Sequence, residues 1–137
     1  MNILEEICYY LESKISSLTP GENLFYNSLP DEPDDAVLLQ LLPRTLPTPS
    51  PLDAECYVIE VTTRSMSNDA AFEQAKDVYR WLYTDKEDLE LADGLLQLSE
   101  SLSVASVMLN TPAWKQTDNN GRKYFIFRMK VFSHRII

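Results

Sequence analysis

The sequence predicts an α+β fold, a mostly antiparallel sheet flanked by two helices in the order α-β-β-β-α-β-β. Three observations carry this expectation. Two segments, near residues 3–18 and 69–83, repeat apolar residues at helical spacing. Several others alternate or run apolar over strand lengths, punctuated by Pro, Gly and Asn clusters. With 137 residues, 45% of them hydrophobic, the chain has the size of one domain with one core, expected to span 1–137.

Ile3, Leu4, Ile7, Leu11, Ile15 and Leu18 form the apolar stripe of the first helix, which Pro20-Gly21 stops. A short strand follows over Asn23–Ser28, then Leu29-Pro30 and the acidic turn Asp31-Glu32-Pro33-Asp34-Asp35. Ala36–Leu42 is a continuous apolar run, the pattern of a buried strand. Pro43, Pro47, Pro49 and Pro51 then rule out helix or central strand, so a proline-rich loop or arm is expected at about 43–53.

Glu55–Arg64 is rich in β-branched and aromatic residues and reads as the central strand. Tyr57, Ile59, Val61 and Thr63 share one face, and Cys56, Val58, Glu60, Thr62 and Arg64 the other. Glu60 and Arg64 can meet partners across the sheet or across a subunit boundary. Ser67, Asn68 and Asp69 are alternative N-caps for the second helix, about Asp69–Tyr83, whose stripe is Ala71, Ala75, Val78, Tyr79 and Leu82. Its two alanines permit close approach to the sheet. Residues 85–93 form an acidic connection, and Leu95–Leu98 and Val104–Leu109 read as strands, although the leucines of Leu95–Leu102 fit a helical turn as well.

Asn119-Asn120-Gly121 is a strong turn signal before the closing strand Arg122–Phe132. That strand alternates Phe125, Phe127, Met129 and Val131 against Tyr124, Ile126, Arg128, Lys130 and Phe132. The second set carries too many large apolar groups for a freely solvated face, so a helix or another subunit should cover it.

Net charge is −9, which argues against a general grip on nucleic acid and against anionic membrane surfaces. The charge is uneven: residues 1–114 hold 20 acids and six bases, and residues 115–137 six bases and one acid. Such asymmetry lets the terminal segment of one copy meet an acidic surface of another, unless both are solvated faces of a monomer. The start MNILEEICYYLES is acidic and amphipathic, unlike a secretory signal, and a reducing cytoplasm is the expected site of synthesis.

Catalytic motifs are missing in several independent ways. His134 is the one histidine, and Cys8 and Cys56 are the two thiols, too few for a four-ligand zinc site. Both thiols read as buried small hydrophobes. The acidic clusters at 31–35 and 85–93 lack calcium-loop spacing. Asp53 and Glu60 flank a strand start as in metal-dependent nucleases, but Glu60-Val61-Thr62 lacks the lysine that chemistry uses. Three glycines, at 21, 94 and 121, cannot build a phosphate loop. No enzyme, cofactor or metal is expected.

Over about residues 3–132 the chain resembles the tail terminator proteins of long-tailed bacteriophages, also described as minor capsid proteins. The resemblance lies in order and flavour: the helix ILEEICYYLESKI, a short strand closing in Leu29-Pro30, the acidic turn and AVLLQLL. It continues through YVIEVTTRS into DAAFEQAKDVYRWLY, a strand ending in Thr111-Pro112, the turn Asp118–Arg122 and YFIFRMKVF. The proline-rich loop departs from the family's glycine-bearing loop.

The resemblance implies a virion structural protein, assembled in the host cytoplasm, that forms a hexameric ring at the head-proximal end of the tail. Its implied partners are further copies of itself, the tail-tube protein and the head–tail connector proteins of the neck. Genomic DNA would pass through the lumen without specific binding, and no membrane is involved. Candidate subunit-interface residues are Glu60, Arg64, Arg128, Lys130 and Phe132. A head-closure or head–tail joining protein is the nearest alternative. A small enzyme or nucleotide-binding regulator, and an interaction module using the proline-rich segment, are further ones.

Overall fold

The computed structural model describes residues 3–42, 54–83, 96–99 and 102–135. Its elements are α1 (Ile3–Lys14), β1 (Leu24–Tyr26), β2 (Ala36–Leu42), β3 (Ala54–Ser65), α2 (Asn68–Leu82), β4 (Leu96–Ser99), β5 (Leu102–Met108), β6 (Ala113–Thr117) and β7 (Lys123–Arg135). One sheet runs in the order β1-β2-β3-β7-β5-β4, with β6 also on β7. Its pairings are antiparallel except β1 with β2. The α+β class and antiparallel character are those the sequence predicts. The chain after α2 makes four strands, of which β6 was not anticipated. The expected proline-rich loop and acidic connection lie outside the described residues.

The sheet is organised on β3 and β7, which pair without a register shift from Ala54 opposite His134 to Ser65 opposite Lys123. The two-residue period of a strand then separates the faces. Leu39, Val61 and Phe127 lie in one cross-strand row, each fully buried. Ile59 with Met129, and Val37 with Thr63 and Phe125, form the flanking rows on the same face. Both helices pack here.

α2 presents Ala71, Ala75, Val78 and Leu82 to this face, all buried. The small alanine side chains bring the helix close enough for the buried Thr63 hydroxyl to donate to the Ala71 carbonyl at 2.8 Å. Of the three possible caps the chain uses Ser67, whose side chain accepts the Ala70 N–H at 3.2 Å. The Ser106 hydroxyl donates to the Leu82 carbonyl at the other end, filling one of the acceptors a helix terminus leaves open.

α1 ends four residues before its apolar stripe does. The Asn23 side chain holds the following turn, accepting the Thr19 N–H at 2.7 Å and donating to the Ser17 carbonyl at 2.7 Å. Leu18 stays buried although it is no longer helical. α1 touches β1 and β4, which stand at opposite ends of the strand order, so the sheet curls around it. The Tyr10 hydroxyl ties it to α2 through the Trp81 carbonyl at 3.2 Å.

β5 and β6 share the second edge of β7, the first pairing residues 129–135 and the second residues 123–126. Between them the Asn110 side chain stands in for backbone, its Oδ1 accepting the Arg128 N–H at 2.9 Å. Its amide also donates to the Ile126 carbonyl at 3.4 Å. An amide side chain offers both a donor and an acceptor, so it can bridge a ladder that Pro112, without an N–H, leaves open.

Phe127 meets the ring of Tyr79 edge-on at 5.2 Å and sits where the sheet meets α2. Replacing it by alanine should destabilise the protein by about 3–5 kcal/mol, the usual cost of a large aromatic cavity. Chemical denaturation of the Phe127→Ala variant checks this, and a loss under ~1 kcal/mol would show that the row is not the centre of the core.

Candidate interaction surface

The face of the sheet opposite the helices carries the residues that the sequence nominated. Its rows run Ala36, Arg64 and Tyr124; Leu38, Thr62 and Ile126; Gln40, Glu60 and Arg128; Leu42, Val58 and Lys130. Among the described elements both helices lie on the other side, so no described helix covers this face. Its β2–β3 part is nevertheless buried, with Leu38, Glu60 and Thr62 each 5–6% exposed, and the exposed part lies on β5 and β7.

The β3–β7 register places Glu60 directly opposite Arg128, and the guanidinium Nε donates to Glu60 Oε2 at 2.8 Å. Glu60 is nearly enclosed, with 8% of its side chain accessible, whereas the Arg128 side chain is 50% accessible. The pair therefore satisfies a buried carboxylate and leaves one side of the arginine toward solvent. Lys130 is exposed and Phe132 half-buried on the same strand. β5 adds Val107 beside Lys130, 51% exposed. Leu109, 48% exposed, follows where its N–H bonds the Arg128 carbonyl at 2.9 Å. The surface is a basic strip with apolar flanks.

Arg64 is placed differently. It is buried, and its guanidinium grips the acidic turn through main-chain oxygens: Nε donates to the Asp34 carbonyl at 3.1 Å, and Nη2 to the Pro33 and Asp31 carbonyls. Its contacts are internal to the chain, and it presents no charge to a partner. Strand parity places it on the expected face but cannot show that residues thirty positions earlier fold over it.

Arg122, expected as the end of a polar turn and the first residue of the closing strand, is the second half of this clamp. It is buried, donates to the Asp31 carbonyl, and pairs with Asp31 Oδ1 at 2.8 Å and Asp118 Oδ2 at 2.8 Å. The Asp34 carboxylate lies 3.7 Å away. Asp118 is itself an Asx-turn residue: Oδ1 accepts the N–H groups of Asn120 at 2.9 Å and Arg122 at 3.0 Å, and Oδ2 the Tyr124 hydroxyl at 2.9 Å. Gly121 completes the turn at a positive φ of 84°. The clue in the sequence is an acidic, proline-bearing turn and an Asp-x-x-x-Arg turn, each acceptor-rich, beside otherwise unexplained arginines.

Desolvation pushes the Asp118 carboxyl upward, but the donors from Arg122, Tyr124 and Asn120 outweigh it and hold the group down at about 2. Arg122 is shifted further upward by its bonds to Asp31 and Asp118. Both shifts favour the charged forms, so the clamp is a structural ion cluster.

The Cys8 thiol, on the buried side of α1, is pushed up to about 12 by desolvation, with Glu5 adding to it. A thiol held protonated is a poor nucleophile. His134 falls in β7 opposite Ala54. Among the described residues no three His, Cys, Asp or Glu side chains are grouped to hold a metal ion. No helix among them is long and apolar enough to cross a membrane.

A family model described as bacteriophage tail terminator protein matches residues 12–131. No curated protein matches this chain.

Two expectations follow from these groups. Because folding lowers the Asp118 pKa, its contribution to stability is complete above the ordinary aspartate value of ~4 and fades as pH falls toward 2. Denaturation midpoints of Asp118→Asn should therefore lie below wild type at pH 7 and converge with it by pH 2. Parallel curves would contradict the assignment. In a Cys56→Ser background, iodoacetamide at pH 8 should leave Cys8 unmodified in the folded protein and label it fully in denaturant; rapid native labelling would contradict its burial.

Proposed function

Since the chain belongs to the bacteriophage tail terminator family, we propose that it closes the head-proximal end of a phage tail as a ring of identical subunits, a hexamer. In that place it stops polymerisation of the tail-tube protein and offers the surface to which the head–tail connector joins. The family match over residues 12–131 carries this reading. A family of this kind is structural and contributes a component of the virion tail, which agrees with a chain whose ionisable clusters serve folding.

The exposed β5–β7 part of the sheet face opposite the helices supports the ring. A closed ring needs two different patches on each subunit, one meeting the other on the next copy. Arg128, Lys130 and Phe132, with Glu60 holding Arg128 in place, form one such patch on β7 and its neighbours. Arg64 acts indirectly, by fixing the β1–β2 turn. The acidity of the chain as a whole suits a lumen that lets DNA slide past without binding it.

Electron microscopy of particles made without this protein tests the assignment. Overlong tails lacking heads are the expected result. Tails of normal length beside heads that leak DNA would overturn it and point to a head-closure role in the neck.

A further inference from the structure

The open face of β5 and β7 is uncovered by the helices, and what would cover it can be argued from the chain's own charge. Arg128 and Lys130 project from it beside the exposed apolar residues Val107 and Leu109. Residues 115–137 hold six bases against one acid, whereas the rest of the chain holds 20 acids against six bases. A second copy therefore brings the complementary charge with it.

The part of that copy best prepared to do so is the β1–β2 turn. Its five residues, Asp31 to Asp35, are all exposed. Arg64 and Arg122 hold it mainly by the carbonyls of Asp31, Pro33 and Asp34, and both guanidiniums are buried beneath. Gripping the main chain fixes the shape of the turn without spending the carboxylates of Glu32 and Asp35, which point to solvent as a rigid acidic knob. An open concavity lined by Glu22, Glu32, Pro33 and Asp34 adjoins them. A preformed loop loses little entropy on docking, so it binds better than a flexible one of the same charge.

We propose that the β1–β2 turn of one subunit docks on the Arg128–Lys130 strip of the next, with Val107 and Leu109 closing the contact against water. The proposal rests on the ring reading above and names the surfaces that would form it.

Light scattering of the full chain after size exclusion, together with electron microscopy of purified tails carrying each variant, provides the test. Lys130→Glu with Arg128→Gln alters the strip, and Glu32→Lys with Asp35→Lys alters the turn; all four positions are exposed, and circular dichroism checks folding. Each double variant should lose self-association on the order of tenfold or more. An equimolar mixture of the two should recover it, because the reversed strip and reversed turn match each other.

Wild-type rings accompanied by undiminished rings from either double variant would overturn this contact and leave the ring reading standing. Charge-dependent assembly that stops at a closed dimer would support the contact and overturn the ring. A wild-type chain monomeric both in solution and on tails would overturn both.

Discussion

The rest of the molecule depends on the register of β3 against β7. With twelve pairs and no bulge, this ladder decides which side chains enter the core and which reach the other face. A slip of β7 by one residue would send Phe125, Phe127 and Met129 to the other face and bring Ile126 and Arg128 beneath the helices. Burial of the first group on α1 and α2 makes that slip prohibitive. The same constraint sets Glu60 opposite Arg128 and Arg64 beside Tyr124, so the positions on the open face are a consequence of packing on the hidden one.

Two polar arrangements extend this order beyond the ladder. Asn110 bridges the break between β5 and β6, keeping the second edge of β7 occupied along most of its length. Arg64 and Arg122 bind the β1–β2 turn to the start of β3–β7 pairing, joining residues about ninety positions apart in sequence. Buried arginines without partners would be costly, and here each finds several acceptors, so the cluster fixes a conformation while its charges are satisfied. The core thus supplies stability, and the arginines specify the shape of one exposed loop.

Much of this was legible in the sequence because period and burial agree there. β2, β3, α2 and the alternation of β7 follow from apolar spacing, and their faces are those expected. α1 was read too long, since Ile15 and Leu18 continue the stripe while Ser16-Ser17 and Asn23 favour a turn. β6 was missed because AWKQT is short, exposed throughout and follows a proline. The Asp118–Gly121 turn, flanked by AWKQT and KYFIF, was the signal that could have revealed it. Arg64 was nominated as an interface residue from its face alone; parity along a strand cannot report a turn that folds over its end. Arg122 was passed over for the same reason.

The proposed ring contact, a basic strip on β5 and β7 against an acidic turn, uses surfaces already shaped in the monomer. The most direct measurement of that account is a cryo-electron microscopy reconstruction of the head-proximal end of isolated tails. A ring of this chain, with the β5–β7 face pressed against the neighbouring subunit and the helices away from the contact, is the predicted result. A ring contacting through α1 and α2 with that face open to solvent, or no density for the chain at the head-proximal end, would contradict it.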